Sequence, residues 1–344
     1  MPQNIKKIRF ENDYSEGAHP AVLSRIQEAN LVQRAGYGLD DACLAAADSI
    51  RSRVGRQDAD VHFLTGGTSA NLIALTAFLR PHEAVICTDT AHIHVHETGA
   101  IEAAGHKLIT LSAPDGKLSP APIEEAALRF TDEHMVKPRL VFIANATELG
   151  THYTLSELRS LRAVCDKLGL LLYMDGARLG NALAASDAEW ADLPNLLDAF
   201  YIGGTKNGAL FGEAMVIVND RLKPYFRYVI KQRGGMMAKG FLLGLQFQAL
   251  FENDLYMEMA RHANAMADEL RAALAEKRIP LSPATKTNQV FAVMPNGMIR
   301  TLSKRYAFHA MQPIDEQHTV VRLVASWATT REMVSAFRND LIKI

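Results

Sequence analysis

Between residues 61 and 218 the chain repeats one pattern, an apolar run of strand length followed by a stretch long enough for a helix. The runs are Val61-His-Phe-Leu64, Ala84-Val-Ile-Cys87, Lys107-Leu-Ile-Thr-Leu111, Leu140-Val-Phe-Ile143, Leu170-Leu-Leu-Tyr-Met174 and Phe200-Tyr-Ile202. Strands buried on both faces read as near-continuous apolar runs, and helices such as Leu155–Lys167 fall between them. Ala214-Met-Val-Ile-Val218 reads as a return strand and is a candidate for the antiparallel direction. The pattern predicts a mostly parallel α/β sheet, with ligand chemistry beyond the C-terminal ends of its strands.

The flanks differ. Phe10 to Pro20 is irregular, Ala21 to Ala29 reads as a short helix, and Asp40 to Val54 as an amphipathic helix with Asp40 near its cap. Gly66 to Asn71 reads as a turn, and Leu72 to Leu79 as a helix that ends before Pro81. After Gly240 a helical pattern runs from Phe241 to Lys277, followed by candidate strands at Gln289–Val293 and Val320–Val324 and a last helix at Arg331–Ile342. A length of 344 residues suits about two domains. The change of texture places their boundary near residue 245, giving a large domain over 1–245 and a small C-terminal domain over 246–344.

Composition narrows the partners. Lys and Arg total 37 against 38 Asp and Glu, which argues against nucleic acid or an anionic membrane surface. Cys43, Cys87 and Cys165 lie far apart, which disfavours a disulfide framework and fits a reducing compartment. The start, Met1-Pro-Gln-Asn-Ile-Lys-Lys7, holds no apolar segment of signal-peptide or membrane length, so a cytoplasmic protein is expected.

Three strand ends carry candidate chemistry. Leu64-Thr-Gly-Gly-Thr-Ser-Ala-Asn71 joins a strand to a helix; its glycines and the helix start suit a phosphate, and an ordinary tight turn is the plain alternative. Asp175, in Leu172-Tyr-Met-Asp-Gly-Ala-Arg178, ends a buried strand and needs a partner. A protonated pyridine nitrogen would serve, as would a helix N-cap role. Arg178 could hold a carboxylate with two parallel bonds. Lys206 follows, in Tyr201-Ile-Gly-Gly-Thr-Lys-Asn-Gly208, one helix-sized connection further on. A buried amine there would lose proton affinity and could attack a carbonyl, although a surface turn lysine has the same local sequence. Phosphate turn, pyridine aspartate and Schiff-base lysine in this order point to pyridoxal 5′-phosphate.

At these residues the chain resembles a family. Gly67-Thr68, Ala91-His92, Met174-Asp-Gly-Ala-Arg178, Gly203-Gly-Thr-Lys-Asn-Gly208, Ile230-Lys-Gln-Arg-Gly-Gly235 and Val321-Arg-Leu-Val-Ala-Ser-Trp327 look like the low-specificity L-threonine aldolases of the β-eliminating lyase group. The resemblance runs from Phe10 essentially to the end. It implies an aspartate-aminotransferase-like α/β fold (fold type I), with a large domain holding a mostly parallel seven-stranded sheet and a smaller α+β C-terminal domain. The N-terminal segment, 1–30, would pack on the small domain or on a partner subunit. A homodimer or dimer of dimers with shared active sites is also implied. Lys206 would carry the cofactor, Asp175 would meet its pyridine nitrogen, His92 would stack on its ring, and Gly67 and Thr68 would hold its phosphate. Arg178 and Arg322 would grip the substrate carboxylate.

Some positions depart from the family pattern. Asn12 stands where many members have a serine that adds a carboxylate contact, and Glu148 stands where many have a histidine. The catalytic base is therefore open between His92, Glu148 and a water they hold. Lys231 and Lys239 are candidate phosphate contacts from a neighbouring subunit, in place of the family's arginine. The implied reaction is cleavage of a β-hydroxy-α-amino acid, threonine or allo-threonine, to glycine and an aldehyde. The alternatives are elimination at Cβ, giving pyruvate and ammonia, and a non-catalytic binding protein of the same fold. His92, His94 and His96 would share one face if the stretch were a strand, but no acidic or cysteine partner completes a metal site, and none is expected.

Overall fold

A computed structural model describes residues 7–344; the first six residues of the N-terminal segment lie outside the described part. The strands in chain order are β1 Ile8–Arg9, β2 Asp60–Leu64, β3 Glu83–Thr88, β4 Leu108–Leu111, β5 Lys137–Ala144, β6 Leu171–Asp175, β7 Ala199–Gly203 and β8 Glu213–Ile217, then β9 Gln289–Pro295, β10 Tyr306–Ala307, β11 His309–Pro313 and β12 His318–Val324. Seven of them form one sheet in the order β2-β8-β7-β6-β5-β3-β4. Only β8 runs against the rest; it pairs antiparallel with both β2 and β7, and the remaining pairs are parallel.

The two sheet faces explain the apolar runs. Val141, Ile143, Leu172, Met174, Phe200 and Ile202 face one core, while Leu140, Phe142, Leu171, Tyr173, Ala199 and Tyr201 face another. Side chains alternate along a strand, so a strand covered on both sides must be apolar at every position. Helices cover both faces; Leu155–Leu168 opens on a capping box of Thr154 and Glu157 and closes on Gly169 in the left-handed region.

Beyond the sheet, the expected long helix from Phe241 to Lys277 is two. Phe241–Phe251 and Leu255–Glu276 meet at Asn253 and Asp254, both with left-handed backbone angles (φ 51° and 61°), which short polar side chains tolerate best. Residue 245 lies inside the first of these helices, which packs so closely on helix Asp41–Val54 that a Cβ at Gly244 would meet the Cys43 backbone at 2.5 Å. The change of core comes later. Tyr256, Met257 and Met259 belong to the large core, whereas Met266, Ala267, Leu270 and Leu274 pack with β9, β12 and Phe337. We propose that the two units divide within helix Leu255–Glu276 rather than at 245.

The smaller unit holds a three-stranded antiparallel sheet in the order β11-β12-β9, one strand more than the sequence suggests, because β11 is exposed and carries no apolar alternation. β1 pairs with β10, and Phe10 is buried against Tyr306 and Phe337 in the same core. The N-terminal segment therefore reaches the small unit before the chain enters the large sheet.

Candidate active site

All six mutually parallel strands end on one edge of the sheet, and the loops beyond them carry the candidate residues. After β2, Gly66 stands at the N-cap of helix Gly67–Phe78 and offers no side-chain cap, so the first-turn N–H groups have none. Gly67 and Thr68 are thus the first helical turn rather than a preceding loop. A Cβ at Gly67 would lie 3.0 Å from the Tyr201 hydroxyl, which is why the helix start can sit this close to β7. That geometry suits an anion such as phosphate.

Asp175 ends β6 and is 4% exposed. One carboxylate oxygen accepts from the Tyr201 hydroxyl (2.5 Å) and the Ala177 N–H (3.0 Å), and the other from the Asn71 amide (2.9 Å). Burial and the Asp175 charge hold the Tyr201 hydroxyl well above its ordinary pKa, so it stays the donor. All three partners are neutral. A buried carboxylate without a cation among its partners has room for a protonated ring nitrogen.

Asn71 extends the network. Its amide also donates to Glu97 (2.9 Å), and its carbonyl oxygen accepts from the Tyr173 hydroxyl (3.1 Å). Glu97 Oε1 lies 2.8 Å from His92 Nδ1. Burial lowers the pKa of His92, but the hydrogen bond to Glu97 and the charges of Glu148 and Asp175 outweigh it and leave it above its usual value. With Nδ1 engaged, Nε2 is the nitrogen left for chemistry. His92–Val95 is a helical turn, not a strand, so His92 and His96 share a side, with ring centroids 5.4 Å apart, while His94 points away. Among the described residues no cluster of His, Cys, Asp and Glu has metal-site geometry.

Lys206 follows β7 in the turn Gly204–Gly208. It is half-buried rather than buried, since the turn lies at the open edge of the sheet. Its charge acts on Asp13, His96 and Glu213, so these groups share its surroundings.

The arginines divide their work differently from the expectation. Arg178 forms a fork on Asp13, Nε to Oδ2 at 2.6 Å and Nη2 to Oδ1 at 3.0 Å, with both residues buried. Burial pushes the Asp13 carboxyl up, but Arg178, Lys206 and the Asn288 amide hold it below its usual range. Arg178 thus has one edge occupied by a partner in this chain. Arg322, on β12 between buried Val321 and Leu323, has a buried Nε with no partner among the described residues. Burial and the neighbouring Arg178 charge lower its pKa, against the opposing charges of Glu148 and Asp13. An arginine in that state is short of an anion.

Glu148 sits half-buried on the loop after β5, within reach of the charges of His92, His96 and Arg322. The small unit pins this loop: Thr287 donates to the Gly150 carbonyl (2.7 Å) and Gln289 to the Thr147 carbonyl (3.2 Å). The Asn12 side-chain oxygen accepts from the Tyr14 N–H and the Ser15 hydroxyl in a local turn. Lys231 and Lys239 are exposed; the Lys231 ammonium lies 4.8 Å from the centre of the Tyr37 ring.

Sequence reasoning missed Asp13, Asn71, Glu97, Tyr201, Glu213 and Asn288 as site neighbours. A carboxylate inside an apolar run, as at Glu213 before Ala-Met-Val-Ile217, was a usable signal. Asn288 gave none.

A family model described as Beta-eliminating lyase matches residues 13–296. The low specificity L-threonine aldolase of Pseudomonas sp. (strain NCIMB 10558) is 34% identical, covering 97% of this chain and 96% of its own. A threonine aldolase structure from Leishmania major superposes with a TM-score of 0.97 at 47% identity, covering 98% of this chain and 99% of that one. The aspartate aminotransferase of Thermus thermophilus, at 14% identity, shares the fold alone (TM-score 0.73, covering 99% of this chain and 92% of that one).

Proposed function

The chain belongs to the β-eliminating lyase family, and from that premise we propose that it is a pyridoxal-phosphate-dependent aldehyde-lyase. Its substrates are β-hydroxy-α-amino acids, L-threonine and L-allo-threonine, and its products are glycine and an aldehyde. The observations that support this reading are the buried Asp175 with only neutral partners, the unpartnered Arg322 Nε, and the action of both Lys206 and Arg322 on the same residue, His96. When bound, pyridoxal phosphate supplies an aldehyde for an amine and a ring that accepts the electron pair released as the Cα–Cβ bond breaks.

The chain's residues supply the rest. The N–H groups at Gly67 and Thr68 would receive the phosphate, and Asp175 would keep a proton on the ring nitrogen. Lys206 Nζ would hold the aldehyde carbon and later return a proton at Cα. Arg322 would grip the substrate carboxylate, with Arg178 buttressed behind it by Asp13 and Asn12 at the rim. Fixing that carboxylate orients the bond to be broken. The β-hydroxyl proton would pass to His92 Nε2 or to a water shared with Glu148, since Glu97 engages Nδ1.

Lys231 and Lys239, exposed in one copy, would reach the phosphate of a second copy in a dimer or dimer of dimers. Exposed Leu31, Leu39, Leu44, Tyr225 and Tyr228 give such an assembly apolar surface to cover. Among the described residues no helix is long and apolar enough to cross a membrane. Three buried free thiols suit a reducing cytoplasm.

The test is product analysis. Purified enzyme incubated with L-threonine, L-allo-threonine and L-serine should release glycine and the matching aldehyde. Pyruvate and ammonia from serine would replace this reading with elimination at Cβ. Colourless protein that releases neither would leave a binding protein.

A further inference from the structure

One carboxylate at this edge has no part in the chemistry above. Because β8 runs against its neighbours, its first residue, Glu213, arrives where the parallel strands end, paired with Leu64 of β2 and Gly203 of β7. Glu213 is 3% exposed. It accepts from the Gly204 N–H (2.9 Å) and from the Thr205 hydroxyl (2.8 Å), the two residues that precede Lys206. The Thr205 hydroxyl in turn accepts from the Gly212 N–H (3.0 Å), and the Gly212 carbonyl accepts from the N–H groups of Gly204 (3.0 Å) and Thr205 (3.1 Å). The lysine's turn is thus stitched to the start of β8, with one side chain at the centre.

We propose that Glu213 is a positioning residue for Lys206: its carboxylate clamps the Gly204–Thr205 turn against the sheet and sets a negative charge beside the amine. The proposal rests on the reading of Lys206 as the lysine that holds the cofactor. A purely structural clamp needs only acceptors, and a neutral amide could provide one of them; burying a carboxylate is costly and suits a site that uses its charge.

The surroundings bear this out. The groups facing Glu213 are Lys206 in the turn, Asp175 and Tyr173 on β6, Tyr201 on β7 and Tyr256 on helix Leu255–Glu276. Only Lys206 is cationic. Burial pushes the Glu213 carboxyl up to about 7; the Thr205 and Gly204 hydrogen bonds and the Lys206 charge relieve that, and Asp175 opposes them. Above that pH the anion holds both donors and favours a positive charge at residue 206. Below it a proton takes one oxygen and the clamp loosens.

The test uses the holoenzyme of Glu213→Gln, which keeps shape but not charge. The midpoint of the pH-dependent absorbance change of the cofactor joined to Lys206 should move to lower pH by about 1 unit, as expected for losing a nearby opposite charge. A folded variant with the wild-type midpoint would overturn the proposal. Borohydride trapping and peptide mapping separate the two readings, because cofactor trapped on another lysine refutes Lys206 itself. Should the glutamine variant not fold, Thr205→Ala removes one donor and should shift the midpoint the same way, with Thr205→Ser restoring it. An unmoved midpoint in Thr205→Ala would likewise overturn the proposal.

Discussion

Replacing Glu97 by glutamine separates the two candidates for the base. The Glu97 side chain is fully buried; Oε1 accepts from Asn71 and lies 2.8 Å from His92 Nδ1, while Oε2 has no partner. A glutamine oxygen can take the place of Oε1 and keep both neighbours, and its NH2 group then fills a position already without a partner. What is lost is the charge. A charge-assisted hydrogen bond is roughly twice as strong as a neutral one, which is worth about 1 kcal/mol net. Losing that difference lowers the His92 pKa by about 0.7 unit, and losing the through-space attraction brings the fall to about 1 unit. The direction follows from the structure, since the bond to Glu97 is the first of the effects that offset burial. If His92 Nε2 takes the β-hydroxyl proton, the acid limb of kcat/KM moves to lower pH by about 1 unit. The base is weakened but present, so kcat should fall by less than the ~10²-fold that marks the loss of a general base. Aldehyde release from L-threonine, followed from about pH 5 to 9, reads both quantities. An unmoved acid limb would refute the assignment to His92 and pass the titrating role to Glu148.

Lys206→Ala should lose turnover and the borohydride-trappable cofactor while keeping a wild-type circular dichroism spectrum; turnover near the wild-type rate would remove Lys206 from its role. Glu148→Gln should lower kcat by ~10²–10⁴-fold if Glu148 takes the proton directly, and only mildly if it steadies a water for His92, as kcat across the pH range will tell. Arg322→Lys should raise KM for L-threonine sharply with cofactor absorbance intact, because a point charge cannot reproduce a two-pronged grip. Loss of cofactor with KM unchanged would make Arg322 structural.

The large sheet was legible because burial on both faces removes the polar alternation that would otherwise blur a strand, and each apolar run became a strand within three residues of its ends. Helix Asp41–Val54 was legible from its cap: the Asp40 carboxylate accepts the Cys43 N–H at 2.8 Å. What failed was long-range. Nothing near Arg178 announces that Asp13 will occupy one edge of its guanidinium, because the pair is joined only when the N-terminal segment folds back between the units. The break at Asn253-Asp254 was missed because no glycine or proline marks it and the apolar pattern resumes at Leu255; the two left-handed residues, short and polar, turn the chain so that the helices on both sides pack on the same large core. The base stayed open in the sequence because Glu97, which tunes His92, looks like one more acidic residue near a helix start.

Four buried carboxylates, Asp13, Asp175, Glu97 and Glu213, belong to this network, and they are held in different ways. Asp13 has a cation in contact, Arg178. Asp175 accepts only from neutral donors, Glu97 from an amide and from a histidine whose charge depends on pH, and Glu213 from an N–H and a hydroxyl. Neutral donors lower the cost of a buried anion without cancelling it, so Asp175 remains short of positive charge, while Glu213 has the Lys206 charge nearby. Arg322, with a buried Nε that has no partner among the described residues, is short of negative charge, and its charge acts on His96 together with that of Lys206. A ligand that brings a protonated ring nitrogen to Asp175 and a carboxylate to Arg322 relieves both shortages at once. Binding of such a ligand would therefore be coupled to the stability of this edge, and the same imbalance would make the site selective for a molecule carrying charges of both signs.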